Sequence, residues 1–370
     1  MKKYDYLVVG AGLFGATFAR LATRAGMNCL VVDKRSVVGG NCYDEDVQGV
    51  NVHKYGPHIF HTSKKYIWDF VNGYSEFNHF INSPLAISEN KLYNLPFNMN
   101  TFYQLWGCTT PVEVEDRLAK ERVNYYHVPN NLEEQVLNMV GPDIYHKLVK
   151  GYTEKHWGVP CSELSPNIIK RLPIRLTFDN NYFNDIYQGI PSKGYHSFIC
   201  NILDGIDVSL NIDFNEDQEN LSNLANKIVY TGSLDELHGY CFGELSYRSI
   251  DFATHHLYSK NVQGNAVINY IDSTVKFTRV TEHRHFDKNC KSDVSILTTE
   301  FPIEYDSRDD RNAPRMYPIR KRDDIIKYKQ YKCLERKNML LGGRLAEYKY
   351  YDMDKTIESA FELANKEFNK

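Results

Sequence analysis

Three glycines, Gly10, Gly12 and Gly15, and an acid, Asp33, stand where they could hold a dinucleotide. In the G-x-G-x-x-G spacing the first glycine makes a tight turn, the second lets backbone approach a pyrophosphate, and the third packs a helix on a sheet. The acid about 20 residues on binds a ribose hydroxyl. A second polar group lies in "IKRLPIRLTFDNNYFNDIYQGIP", where Arg171 and Arg175 flank a proline and Tyr182 and Tyr187 follow among asparagines. Arginine forks bind phosphate oxygens with two bonds at once, so these residues and Arg279 are candidate diphosphate ligands. Taken singly, each arginine is more readily a surface ion pair of little energetic weight.

Three more stretches carry chemistry. "KGYTEKHWG" brings Tyr152, Thr153 and Trp157 together; an aromatic ring there could stack a base, worth about 1–3 kcal/mol, or could simply fill a core. "HKYGPHIFHT" contains His53, His58 and His61. No carboxylate or cysteine stands nearby at ligand spacing, so a turn of backbone and imidazole set against a flavin ring fits better than a metal site. "GGRLAEYKYYDM", residues 342 to 353, combines glycines, Arg344, three tyrosines and Asp352. His283 and His285, which alternate on an expected strand, are given no role.

These residues need elements to position them. "YDYLVVGAGLFGATFARLATRAGMNCLVVDKR" reads as strand, glycine turn, amphipathic helix (Phe14, Phe18, Leu21, Ala22, Ala25) and second strand,. The extension "KRSVVGGN", with Gly39 and Gly40, resembles the glutathione-reductase-like FAD proteins more than NAD dehydrogenases. "KIVYTGS" and "NMLLGGR" read as later strands of the same nucleotide fold, and no second glycine fingerprint suggests a built-in NAD(P)H domain. The fold class is therefore α/β: an FAD-binding Rossmann-like domain assembled from discontinuous segments, with a helical insertion and an antiparallel sheet domain. We expect the FAD-binding domain in 1–78, 192–242 and 322–370, the helical domain in 98–170, and the antiparallel sheet and substrate domain in 79–97, 171–191 and 243–321. Pro111, Pro129 and Pro142 are expected at helix starts, and "AVINYIDSTVKFTRVTEHRHF" as paired strands.

Composition narrows the function classes. A net charge of −3 with no concentrated basic surface argues against nucleic acid,. The 27 tyrosines suit a polar organic ligand, although most should serve cores and sheets,. Eight cysteines without Cys-x-x-Cys spacing read as free thiols in a reducing compartment,. No apolar run reaches the ~18 residues of a membrane span, and Asp5 interrupts the N-terminal stretch, so a strand rather than a leader is expected there. These features point to a soluble cytoplasmic protein.

In order and spacing, "YDYLVVGAGLFG", "HKYGPHIFHT", "NSPLAI", "LPFNMNTF", "NLEEQ", "KGYTEKHWG", "IKRLPIR", "TFDNNYF", "YQGIP", "GNAVIN" and "GGRLAEYKYYDM" resemble the prokaryotic UDP-galactopyranose mutases. The resemblance implies a flavoenzyme that interconverts UDP-galactopyranose and UDP-galactofuranose for cell-surface polysaccharide. It implies FAD, active when reduced, a covalent adduct between flavin N5 and the sugar, and a homodimer. Carried onto this chain, it gives Tyr152 and Thr153 to the uridine and Trp157 to the sugar site. Arg171 and Arg279 fall to the diphosphate, with Tyr182, Tyr317 and Tyr350; Asn82, Asn269 and Asp352 complete the substrate set. The cofactor set is Gly10, Gly12, Phe14, Gly15, Asp33, Lys34, Gly40, Asn41, His58, Ile59, Gly343, Arg344, Tyr350, Asp352 and Met353. Arg171, Arg279, His58 and His61 are the expected catalytic residues. The proline of "GPHIF" stands where a smaller residue is expected, a local stiffening that leaves both histidines in place. The same resemblance leaves UDP-N-acetylgalactosamine open as the substrate, and the glycine fingerprint alone leaves an FAD-dependent amine oxidase or dehydrogenase open. The final helix would turn its N-terminus, capped by Asp352 or Asp354, toward the pyrimidine edge of the flavin, where about half a positive charge favours an anionic ring.

Overall fold

Apolar runs such as Leu7–Val8 and Val31–Val32 are buried on both faces, the pattern that parallel strands require. The computed structural model describes residues 3–170, 172–308 and 313–368. Its parallel sheet has five strands in the order Met339–Leu341, Ala225–Tyr230, Tyr4–Val9, Cys29–Asp33 and Asp207–Leu210. Three separated parts of the chain thus build one nucleotide-type sheet. Gly12 N-caps the helix Leu13–Arg24, which packs on the helix Met353–Phe368. Phe18 seals that contact, with its ring 5.3 Å from Tyr6 and 5.7 Å from Phe368.

A second sheet of seven strands runs Tyr317–Pro318, Tyr247–Leu257, Ser295–Glu304, Arg279–Glu282, Val267–Tyr270, Leu85–Ser88 and Lys91–Asn94. It is antiparallel except where Val267–Tyr270 pairs with Leu85–Ser88. Its register sets Asn269 opposite Arg279 and Arg279 opposite Glu300, so three polar side chains share one row. The expected strand through "EHRHF" stops at Glu282. His283–Phe286 instead close a 3-10 turn, because His283 is drawn inward: its Nε2 lies 2.8 Å from Thr298 Oγ1 and its Nδ1 accepts the His53 N–H at 3.3 Å.

The third part is helical. Met99–Trp106, Pro111–Glu121 and Leu132–Ile144 bury Phe102, Val114, Leu118, Val136 and Val140 in one core. Pro111 begins its helix, within a capping box between Thr110 and Glu113,. Pro129 does not: Asn131 caps that helix, its side chain accepting the Glu134 N–H at 2.9 Å. Pro142 sits just past a kink at Gly141 (φ 79°), where the helix restarts. A π-helical stretch, Tyr145–Lys150, then feeds Gly151–Trp157; such stretches often mark functional sites.

Candidate active site

The three parts meet at a cleft of about 1340 Å³. One half is the glycine turn. Gly10 has φ +110°, and a Cβ there would fall 2.0 Å from Thr231 Oγ1; one on Gly15 would fall 2.0 Å from the Gly10 carbonyl. No side chain caps the helix that starts at Gly12, so its first N–H groups are left for an anion,. Asp33 Oδ2 accepts the Ala11 N–H at 2.7 Å and Oδ1 accepts the Arg35 N–H at 2.9 Å, which fixes the carboxylate at the rim of the turn. Arg35 Nη1 is buried without a partner, and Phe14 packs so closely on Gly342 that a Cβ there would lie 2.0 Å from its ring. Lys34, Gly40, Asn41, His58, Ile59, Gly343, Arg344, Asp352 and Met353 line the same cleft. A backbone cradle, an uncapped helix and a fixed acid fit FAD.

The other half is aromatic and cationic. Arg279 donates from Nε to Glu300 Oε1 at 2.7 Å, and the Glu300 side chain is only 1% exposed. Burial opposes the charge on Arg279, but Glu300 more than offsets it, so its pKa is raised and it remains a cation. Around it the cleft is lined by Asn82, Tyr152, Thr153, Trp157, Tyr182, Asn269, Tyr317 and Tyr350. Asn269 Oδ1 is buried with no partner, an acceptor left for a ligand,. Burial pushes the Tyr152 phenol up to about 12 against the pull of Arg279, and raises Tyr317 as well. Both are neutral donors at pH 7. Arg344 bridges the halves: it donates to the Met316 carbonyl and lies 5.8 Å over Tyr317 and 5.5 Å over Tyr350.

The histidines separate. His58 lines the cleft; its Nδ1 is 2.8 Å from the Gly56 carbonyl, and burial lowers its pKa to about 4 against that carbonyl's opposite effect. It is therefore neutral, with the proton on Nδ1. His61 lines the cleft too, on the strand Phe60–Thr62. His53 does not: it is stacked on Phe286 at 4.7 Å in the core, since its Nδ1 accepts the His58 N–H.

This cluster predicts an acid sensitivity. Burial depresses His53, His58 (to about 4) and His283 (to about 3). An unfolded chain protonates them below about pH 6.5 while the folded chain does not, so unfolding free energy falls as pH drops from 6.5 toward 4. Each histidine contributes up to ~1.4 kcal/mol per pH unit in that window. Asp44 and Asp354, whose carboxyls burial raises, oppose this at the acid end. Urea unfolding at pH 7 and pH 5 measures it, and an unchanged midpoint would contradict it.

The comparisons with known proteins agree with this geometry. Residues 147–350 match the family model for UDP-galactopyranose mutase, and residues 8–74 match that of an NAD(P)-binding Rossmann-like domain. Over 99% of this chain and 95% of its own length, a Klebsiella pneumoniae protein named "Probable UDP-galactopyranose mutase" is 36% identical.

The chain belongs to the UDP-galactopyranose mutase family.

A dTDP-fucopyranose mutase of Escherichia coli is 35% identical over 97% of both chains. The crystal structure of a reduced UDP-galactopyranose mutase shares the fold, with a TM-score of 0.75 over 99% of this chain and 96% of that one, at 14% identity. The UDP-galactopyranose mutase family match, residues 147–350, contains every residue named for the aromatic half except Asn82, whereas the glycine turn falls under the Rossmann-like match.

Of the expected site residues in this mutase, all that are described line the cleft; Arg171 lies outside the described residues. Two further candidates turn elsewhere. Arg175 fastens the loop that carries Tyr182, donating to the carbonyls of Asn181 and Phe183 and to Asn184 Oδ1. Tyr187 stacks on Trp68 at 5.3 Å. Sequence reasoning missed the supports. Lys155 Nζ donates to the carbonyls of Tyr270, Asp272 and Val275 at 2.8–3.0 Å, and Arg248 Nε donates to the His156 carbonyl at 2.9 Å. These two cations tie the helix bearing Tyr152 and Trp157 to the sheet bearing Asn269 and Arg279. Glu300 left one trace in the sequence, an acid inside the otherwise uncharged strand run "SILTTEF". Among the described residues no group of His, Cys, Asp and Glu is arranged to hold a metal, and no helix is long and apolar enough to cross a membrane.

Proposed function

We propose that this chain interconverts UDP-galactopyranose and UDP-galactofuranose for cell-surface polysaccharide, using FAD in its reduced form. The observation that carries the reading is the Arg279–Glu300 pair, with Glu300 buried and Arg279 partly open to the cleft, ringed by tyrosines, in a cleft continuous with the glycine turn. Reduced FAD, when bound, supplies an electron-rich ring able to attack an electrophilic sugar carbon, which allows isomerisation without net redox change. The chain does the rest. Arg279, with Arg171, stabilises the charge that develops on the departing diphosphate and keeps it near enough to recombine. Tyr152, Thr153 and Trp157 hold the base and sugar, and Tyr182, Tyr317 and Tyr350 donate their hydroxyls to the phosphates. Asn82 and Asp352 line the sugar side. His58 and His61 stand at the flavin wall, and the enclosing walls keep water from the reacting carbon.

The test is turnover of UDP-galactofuranose with and without dithionite, followed by chromatography. Activity only in the reduced state supports the reading. Flavin bleached by an amine or alcohol, with no isomerisation, would instead support an oxidase. The Escherichia coli relative favours a second substrate reading, dTDP-fucopyranose; together with UDP-N-acetylgalactosamine it belongs in the same assay, ranked by kcat/KM.

The division into an FAD-binding domain, a helical domain and a sheet domain at the boundaries given above belongs to this proposal, as do a cytoplasmic location and a homodimer. All eight cysteines are free thiols, in keeping with a reducing compartment. Light scattering of the purified protein tests the dimer.

A further inference from the structure

Asp185 was passed over in the sequence, yet it faces His61 at the cleft wall. The strands Phe60–Thr62 and Tyr187–Gly189 pair with His61 opposite Gln188, which brings the segment just before Tyr187 alongside the imidazole. Asp185 Oδ2 is 2.6 Å from His61 Nδ1, and its Oδ1 accepts the Ser63 hydroxyl at 2.6 Å, so both carboxylate oxygens are fixed. The Phe183 ring lies flat on the imidazole, 3.7 Å between centroids and 14° apart. Arg175 locks the same loop by donating to Phe183 O at 2.9 Å and Asn184 Oδ1 at 2.5 Å. Asp354 is the other nearby acid, but it accepts from Thr62 Oγ1 at 3.3 Å and from the Lys355 N–H at 2.7 Å.

We propose that Asp185 is a positioning residue for His61: its carboxylate keeps a proton on Nδ1 and leaves Nε2 as the ring atom presented to the cleft. A carboxylate behind an imidazole fixes both tautomer and ring orientation. The role at the flavin wall rests on the mutase reading given above.

The test combines nitrogen-15 NMR of the histidine-labelled holoenzyme with steady-state kinetics. In the wild type His61 should carry its proton on Nδ1. Asp185→Asn offers an amide that can donate to Nδ1, so the proton should move to Nε2, with kcat lowered at least about tenfold and KM changed less than about threefold. Asp185→Glu keeps the carboxylate and should restore both the tautomer and most of kcat. An Asn variant with an unchanged tautomer, or a moved proton with kcat within about twofold of wild type, would overturn the proposal. So would loss of FAD from both variants, which would make Asp185 a brace of the loop. If the wild type itself fails to isomerise the sugar, the mutase reading falls while the NMR result still decides the pairing.

Discussion

Replacing Arg279 with alanine should lower kcat by about 10²–10³-fold under reducing conditions, the effect of removing one preorganised donor from developing charge. Stability should fall as well. Glu300 is 1% exposed, its Oε2 has no partner and its Oε1 is held by Arg279 alone among the described residues. Removing the partner of a buried carboxyl costs about 3–5 kcal/mol when both groups are buried, and less here because Arg279 is 20% exposed. The two effects can be separated. Arg279→Met combined with Glu300→Met removes both charges, so much of the stability should return while kcat stays low. Arg279→Lys keeps the charge but not the fork that both binds Glu300 and reaches a phosphate, so it should fall between. Kinetics and a urea titration on the three proteins provide the check; near-normal kcat in the alanine variant would remove Arg279 from the diphosphate site.

Gly12→Ala should give a folded, colourless protein. A Cβ at Gly12 meets only the Gly40 Cα, at 3.7 Å, an ordinary contact. The protein therefore tolerates it, and any loss of FAD reports the space the pyrophosphate needs above the turn. A drop in affinity of about 100-fold or more, equivalent to about 2.7 kcal/mol, is expected. Gly15→Ala is the contrast, because its Cβ would lie 2.0 Å from the Gly10 carbonyl and 3.1 Å from Val8 Cγ1. That variant should lose thermal stability and FAD together. Flavin absorbance per protein and melting temperature distinguish the two, and a Gly12 variant that purifies fully yellow would show that the pyrophosphate does not approach there.

How much was legible in the sequence follows from the range of each interaction. The glycine turn, its helix and the acid that answers it lie within about thirty residues, and the spacing that makes them readable is the spacing that makes them work. The parallel strands were readable from apolar runs, and the ordered stretches from "YDYLVVGAGLFG" to "GGRLAEYKYYDM" specified the family and hence the ligands. What failed was side-chain direction. His53 and Tyr187 looked like their neighbours in sequence, but His53 turns into an aromatic core and Tyr187 stacks on Trp68 instead, and Arg175 looked like Arg171 but binds its own loop.

By itself, then, the sequence determined the nucleotide turn, the family and which residue types gather at the cleft. Only the tertiary structure decided which of them are held, and by what. Glu300 behind Arg279 depends on strand register, Lys155 on three carbonyls of a distant turn, and Asp185 on a partner 124 residues away. These contacts are long-range and leave no periodic trace, because which face a side chain takes and which carboxylate lies beneath it are set by how separate elements pack, after the local spacing has been satisfied.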